Sequence, residues 1–153
     1  MTEAERIADQ LRRAFEGDAW HGPSVWEILR EVRSQKAACR PILGAHTIWE
    51  IVLHIATWEA VVRRRLEGEF ITMVSPERDW PPVRDASEAA WPNSLELLKR
   101  GNQQLREAIS RFPSERLDEP VPGMDYTVYT MLHGVVQHAL YHAGQIALLN
   151  KAS

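Results

Sequence analysis

Hydrophobic residues recur at helical spacing in four long segments of the chain. The first segment spans about residues 2–15, and the second spans about residues 47–66. The third spans about residues 87–112, and the last runs from about residue 126 or 127 to residue 150. Each segment places apolar side chains three and four residues apart, which is the period of one face of an α-helix. No stretch alternates apolar and polar residues for long enough to predict a β-strand.

Two capping boxes indicate where helices begin. Ser24 is followed three residues later by Glu27, and Thr47 is followed by Glu50 at the same spacing. In such a box, each side chain accepts a hydrogen bond from the backbone N–H group of the other residue. The first box predicts a short helix over about residues 23–32. The second predicts the start of the second long helix.

Proline and glycine residues separate the predicted helices. Gly68 ends the second long helix, and a proline-rich loop follows over about residues 69–86. A loop of this length in a compact domain is more often functional than idle. Pro92 lies in the first turns of the third helix, so that helix can start as late as Asn93. The predicted fold is all-α: a four-helix bundle with a short extra helix after helix 1, formed by residues 1–153 as a single domain.

Composition and charge narrow the functional classes. The chain has 153 residues, of which 44% are hydrophobic and 25% are charged, and its net charge is −3. This charge predicts no basic surface for nucleic acid, and Arg63, Arg64 and Arg65 are interpreted as part of a solvated helix face. The charged N-terminus does not resemble a signal peptide, and no apolar run approaches the ~18 residues of a transmembrane helix. With Cys39 as the one cysteine, we expect a cytoplasmic protein that binds neither nucleic acid nor membranes.

Six histidines are candidates for metal ligands. His138 and His142 are four residues apart on the last helix, so they lie within about 40° of each other on one face. This H-x-x-x-H spacing is the two-ligand half of known helical metal sites. His133 precedes His142 by nine residues and lies about 180° around the helix, so we assign it to the surface or another interface. His46 precedes the capping threonine, and a loop position is its favoured interpretation.

His54 lies in the middle of the second long helix, flanked by aliphatic residues. Taken alone it is best interpreted as a core histidine with a hydrogen-bond partner, but the half-site on another helix strengthens its interpretation as a metal ligand. Three neutral imidazoles suit zinc, nickel, copper or iron. Three protein ligands leave coordination positions open, where a metal-bound water can become a nucleophile at neutral pH.

The segment 138–146, with the pattern H-x-x-x-H-x-G-Q-I, resembles the DinB-like (DinB/YfiT) superfamily of metal-binding four-helix-bundle proteins. Segments 19–24, 53–59 and 79–81 also resemble sequences of this family. The likeness extends over essentially the whole chain, and the final-helix motif is its most specific part. It implies that His54, His138 and His142 hold a divalent metal ion, nickel or zinc. It also implies a homodimer.

The open coordination positions favour a metal-dependent hydrolase that acts on an unknown small-molecule substrate. In this hypothesis the three histidines hold a metal-bound water that attacks the substrate. Two alternatives remain open. One is a metal-dependent S-transferase or isomerase that uses a low-molecular-weight thiol, as the family resemblance implies. The other is a non-catalytic metal-binding dimer.

Several other side chains are candidates for the surroundings of the site. Trp58 lies one helical turn from His54, where core packing is its favoured role and a pocket wall is the alternative. Gln145 lies three residues after His142, near enough to support the site through a hydrogen bond. Four further residues are candidates for a pocket mouth or a proton donor: Trp20, His21, Tyr126 and Tyr141.

Overall fold

The computed structural model describes all residues from 1 to 153. It contains seven α-helices, one 3₁₀ turn at Ser114–Arg116 and no β-strand. In chain order the helices are α1 (Glu3–Phe15), α2 (Val25–Leu29), α3 (Ser34–Ala38), α4 (Ile48–Leu66), α5 (Pro76–Asp79), α6 (Ala90–Arg111) and α7 (Val128–Ala152). The all-α prediction is therefore confirmed, and α1, α4, α6 and α7 are the four long helices of the bundle.

The predicted capping boxes set the starts of α2 and α4. The Thr47 hydroxyl accepts a hydrogen bond from the Glu50 N–H at 3.1 Å, and the Glu50 carboxylate accepts one from the Thr47 N–H at 2.8 Å. Ser24 and Glu27 form the same pair of bonds at the start of α2. Each box satisfies backbone N–H groups that the first helical turn leaves without partners.

The structure differs from the predicted elements in two connections. The predicted loop 69–86 contains α5, which starts with Pro76 at its first position, where a missing N–H carries no penalty. The segment after α2 contains α3, which the sequence pattern did not predict. Helix α2 itself is shorter than the predicted 23–32 segment. These short helices depend on packing against the long ones, because four or five residues are too few to form a stable helix alone. Helices α3 and α5 pack against α4, and α2 packs against α7 and α1.

The long helices form a ring in which α4 and α1 each pack against both α6 and α7. Two hydrophobic clusters fill the interior. One cluster surrounds Trp49 and Trp91, and the other surrounds Leu105 and Leu132. The contact between α4 and α7 brings the middle of the second long helix against the last helix, where the candidate ligands lie. None of the helices has both the length and the apolar character needed to cross a bilayer.

Candidate metal centre

His54, His138 and His142 meet between α4 and α7. The Nε2 atom of His138 lies 3.0 Å from Nε2 of His54 and 3.1 Å from Nε2 of His142. One ligand-capable atom from each of the three histidines lies within 4.8 Å of the other two. The structure therefore brings together the three residues that the sequence singled out, in a group that can hold a metal ion.

Hydrogen bonds on the outer nitrogens orient two of these rings. His54 Nδ1 lies 2.6 Å from the backbone carbonyl oxygen of Asp79, and His142 Nδ1 lies 2.6 Å from Oε1 of Gln145. A carbonyl oxygen only accepts, so each Nδ1 carries the proton and donates it. The Nε2 atoms of His54 and His142 consequently present lone pairs to the centre. The expected supporting contact from Gln145 is present.

The geometry of the three inner nitrogens fits a bound cation. His138 Nε2 faces both of the other Nε2 atoms, and a neutral imidazole nitrogen has at most one proton to donate. At least one of the two close nitrogen–nitrogen contacts therefore joins two lone pairs, which repel each other. A divalent cation accepts all three lone pairs, and neutral imidazole nitrogens suit zinc and nickel. The donor set thus fits the metal that the family resemblance implies.

Burial keeps the three imidazoles neutral. Loss of solvation, together with the neighbouring His142 and His54, lowers the pKa of His138 to about 4. Burial also lowers the pKa of His54 and His142, while their partners Asp79 and Gln145 oppose the change. Neutral rings have a free nitrogen lone pair at neutral pH, which is the form that binds metal ions.

The long connection after α4 supplies two residues that the histidine spacing did not reveal. Asp79 ends α5 and accepts the His54 hydrogen bond, and the indole of Trp80 stacks on the His54 ring at a centroid distance of 3.8 Å. The opposite side of Trp80 stacks on His46 at 3.5 Å. His46 is thus a stacking partner outside the ligand group, in agreement with its predicted loop position. The length of the connection and its proline content were the sequence features that singled it out.

A cavity of about 520 Å³ opens beside the three histidines. Trp58 lines it and donates from Nε1 to Oδ1 of Asp79 at 2.7 Å. The pocket-wall alternative for Trp58 is therefore correct. Much of the remaining wall is apolar and includes Val62, Met131 and Val135. An apolar wall excludes water and strengthens electrostatic interactions with a bound ligand.

Two sequence interpretations of this region were wrong. Arg65 does not belong to a solvated face, because only 5% of the residue is exposed and it lines the cavity. Trp20 and His21 do not lie at the mouth of this cavity. They border a separate groove that also includes Val136 and Leu140. Tyr126 and Tyr141, the candidate proton donors, do line the cavity of the histidines.

Comparison with known proteins places the chain in a family. No curated protein and no solved structure is significantly similar to this chain. Residues 8–146, which include all three histidines, match the family model of the DinB superfamily. The match covers most of the chain, in keeping with the helical architecture described above. The chain therefore belongs to the DinB superfamily.

Proposed function

We propose that His54, His138 and His142 bind one nickel or zinc ion and that the chain is a metal-dependent hydrolase. The observation that carries this proposal is the convergence of three imidazole Nε2 atoms at the wall of an apolar cavity. Three protein ligands leave room for water and substrate in the coordination sphere, as in catalytic zinc sites. A divalent metal ion, when bound, polarises a substrate carbonyl and lowers the pKa of water, which supplies a nucleophile at neutral pH.

The residues around the histidines hold them in place for this role. The Asp79 carbonyl and the Gln145 side chain fix the ring protons on Nδ1, and Trp80 stacks on His54. Contacts of this kind, one layer outside the ligands, orient the rings and increase their basicity. The chain thereby prearranges the three nitrogens before a metal ion arrives, which reduces the reorganisation that binding requires.

Asp79 is our candidate for the residue that accepts a proton during hydrolysis. Its side chain lines the cavity, and Oδ1 accepts a hydrogen bond from Trp58 at 2.7 Å. The second oxygen, Oδ2, has no protein donor and can accept a proton from water in the cavity. A carboxylate in this position compensates for the absence of a general base at H-E-x-x-H spacing on the helices.

The proposal is tested by metal analysis and a hydrolase screen on protein purified without a histidine tag. We expect about one nickel or zinc ion per chain in the wild type, and less than about a tenth of that in His138→Ala, because two nitrogens bind such ions poorly. His21→Ala, which changes an exposed loop histidine, is the matched control. Equal metal content in all three proteins would refute the metal centre.

The screen separates hydrolysis from the alternatives. Metal-loaded wild type is tested on amide, ester and phosphoester substrates, with the metal-free protein and His138→Ala as controls. Hydrolysis that requires both metal and His138 supports the proposal. Inactivity on every substrate, with calorimetric binding of bacillithiol, mycothiol or glutathione, would instead favour a thiol-dependent transferase or isomerase.

We further propose that the chain forms a homodimer through the outer side of α7. Tyr141 and Leu148 are seven residues apart on this helix, and they are 66% and 61% exposed. Exposed apolar side chains that share one helix face are typical of protein interfaces. Light scattering after gel filtration should give the mass of a dimer for the wild type. Leu148→Glu should shift the mass towards that of a single chain.

A further inference from the structure

Arg65 is a buried cation without a carboxylate partner. Its neighbours Arg63 and Arg64 form ion pairs with Glu67 and Glu69 on the surface of α4. Arg65 forms no ion pair, although only 5% of the residue is exposed. Its hydrogen bonds go to neutral acceptors. A buried charge that is not balanced by a counter-ion is unfavourable, so this position needs an explanation.

The guanidinium group keeps one nitrogen available to a ligand. Nε donates to the Ile71 carbonyl oxygen at 2.9 Å, and Nη1 donates to the Tyr126 hydroxyl oxygen at 2.8 Å. Nη2 donates to no protein atom and is not sealed from solvent. Because the Tyr126 oxygen accepts from Arg65, its own proton remains free to donate. Arg65 and Tyr126 therefore offer two donors to a molecule in the cavity that both residues line.

These donors lie along the same cavity wall as the histidines. His54, Trp58, Val62 and Arg65 follow one another at intervals of four, four and three residues, so they share one face of α4, and all of them line the cavity. The Trp58 ring centroid lies 5.9 Å from Cζ of Arg65 and 6.5 Å from the His54 ring centroid. Trp58 is therefore the surface that connects the cation with the imidazoles.

We infer that the cavity binds an amphipathic carboxylate, with its carboxylate group on Arg65 and Tyr126 and its apolar part along Trp58. Two donors, Nη2 of Arg65 and the Tyr126 hydroxyl, match the two oxygens of a carboxylate. Val62, Met131 and Val135 provide the apolar wall that an acyl chain or aromatic ring requires. The end of the ligand far from its carboxylate would lie at the histidines, and that part of the inference rests on the proposed metal centre. The carboxylate site itself depends only on Arg65 and Tyr126.

The inference is tested with 4-phenylbutyrate and its uncharged counterpart 4-phenyl-1-butanol, by calorimetry on protein incubated with nickel or zinc. The wild type should bind the acid about tenfold or more tightly than the alcohol, because a charge-assisted hydrogen bond in an apolar site contributes at least that factor. Arg65→Met should abolish this preference, whereas Arg65→Lys, which retains the positive charge, should keep part of it. Arg64→Met, on the exposed side of the same helix, is the matched control and should behave as the wild type.

The ratio of the dissociation constants of acid and alcohol reports the effect of the carboxylate charge alone, because a change in the shape of the cavity affects both probes. Arg65 also holds the Ile71 carbonyl, and a displaced loop would weaken the binding of acid and alcohol together without changing their ratio. An equal affinity for the two probes in the wild type, or no binding of either probe, would overturn the inference. So would an acid preference that persists in Arg65→Met, because the carboxylate would then lie elsewhere.

Metal content measured on the same samples separates this inference from the proposed function. An acid preference that depends on Arg65 in protein that binds no metal would support the carboxylate site and refute the metal centre. One metal ion per chain without an acid preference would refute the carboxylate site and leave the metal centre intact.

Discussion

Two of the buried polar side chains on helix α4, His54 and Glu59, face different neighbouring helices. His54 faces α7, where two more imidazoles and a cavity meet it. Glu59 is fully buried and faces α6, where Asn102 Nδ2 donates to its Oε1 at 3.0 Å. The second oxygen of Glu59 has no hydrogen-bond partner, and burial raises the pKa of this carboxyl to about 8. Both positions are energetically costly to bury, yet their surroundings differ.

Comparison of His54 with Glu59 shows what distinguishes a candidate site from a polar side chain that is merely buried. At His54, three nitrogen atoms converge and a ligand can reach them through the cavity. At Glu59, one carboxyl meets one amide, and neither residue lines the cavity of the histidines. A strongly shifted pKa is therefore insufficient to assign a function at Glu59. At His54, by contrast, the proposal of a metal site rests on two observations together: three nitrogen atoms converge, and a cavity gives a ligand access to them.

The largest expected effect is on metal affinity, which should differ between variants in the histidine group and variants at Glu59. We expect His142→Ala to weaken nickel or zinc binding by more than about 100-fold, because loss of a direct ligand should exceed the effect of changing a residue that only supports one. Glu59→Gln should leave the affinity unchanged. Competition with a chelator of known affinity measures both variants. A similar loss in Glu59→Gln would show that the two regions are coupled.

The next effect concerns the residues that orient the ligands. Gln145→Leu should weaken metal binding by about 10- to 100-fold, because it removes the only acceptor for the His142 Nδ1 proton. Asp79→Ala should have a smaller effect, below about tenfold, because the backbone carbonyl that accepts from His54 Nδ1 is retained. The same chelator competition measures both. The reverse order would mean that the Asp79 carboxylate has the main supporting role.

Glu59 should make the stability of the fold depend on pH. Its pKa in the folded chain is about 8, above the ordinary value of 4.5, so the folded state holds the proton more tightly than the unfolded chain. The contribution of Glu59 to the free energy of unfolding therefore falls as pH rises from 4.5 to about 8. Relative to Glu59→Gln, the wild type should lose up to about 1.4 kcal/mol per pH unit in this window.

Urea unfolding at several pH values between 5 and 8 measures that difference. Subtracting the values for Glu59→Gln removes the contributions of the histidines, which titrate in both proteins. Arg106 is the cation that opposes the burial effect on Glu59, and it pairs with Glu16 at the surface. Glu107→Gln, at an exposed position of α6, is the matched control. A constant difference between wild type and Glu59→Gln would show that Glu59 is already ionised in the folded state.

The smallest effect is expected where charge lies on the surface. Arg64→Met removes an exposed ion pair with Glu69 and should change the free energy of unfolding by less than about 0.5 kcal/mol. Arg65→Met should destabilise the fold by more, because it removes hydrogen bonds to Ile71 and Tyr126 in a buried position. Chemical denaturation compares the two. Equal effects would contradict the distinction between these neighbouring arginines.

The helices and the pairing of His138 with His142 could be predicted from local sequence patterns. Capping boxes at Ser24 and Thr47 gave correct helix starts, because a cap depends on residues three apart. The four-residue spacing of His138 and His142 placed both on one face for the same reason. The phase of His133 excluded it from the group, and the structure places it outside.

The residues around the site could not be predicted as well from the sequence, because they depend on contacts between residues that are far apart in the chain. His54 and Asp79 are 25 residues apart in sequence, and they meet because α5 packs against α4. Arg65 lies in a run of three arginines that resembles a solvated face. Its burial is decided by Ile71 and Tyr126, which lie on two other segments of the chain.

By itself, the sequence determined the helical class, the approximate boundaries of the long helices and the shared helix face of His138 and His142. These features follow from periodicity and capping, which act over a few residues and are therefore encoded locally. Only the tertiary structure decided that Glu59 is sealed in the core, that Arg65 enters the cavity and that Trp80 covers His54. The reason is physical: the burial and partners of a side chain depend on which helices pack against it, and that packing joins residues far apart in the chain.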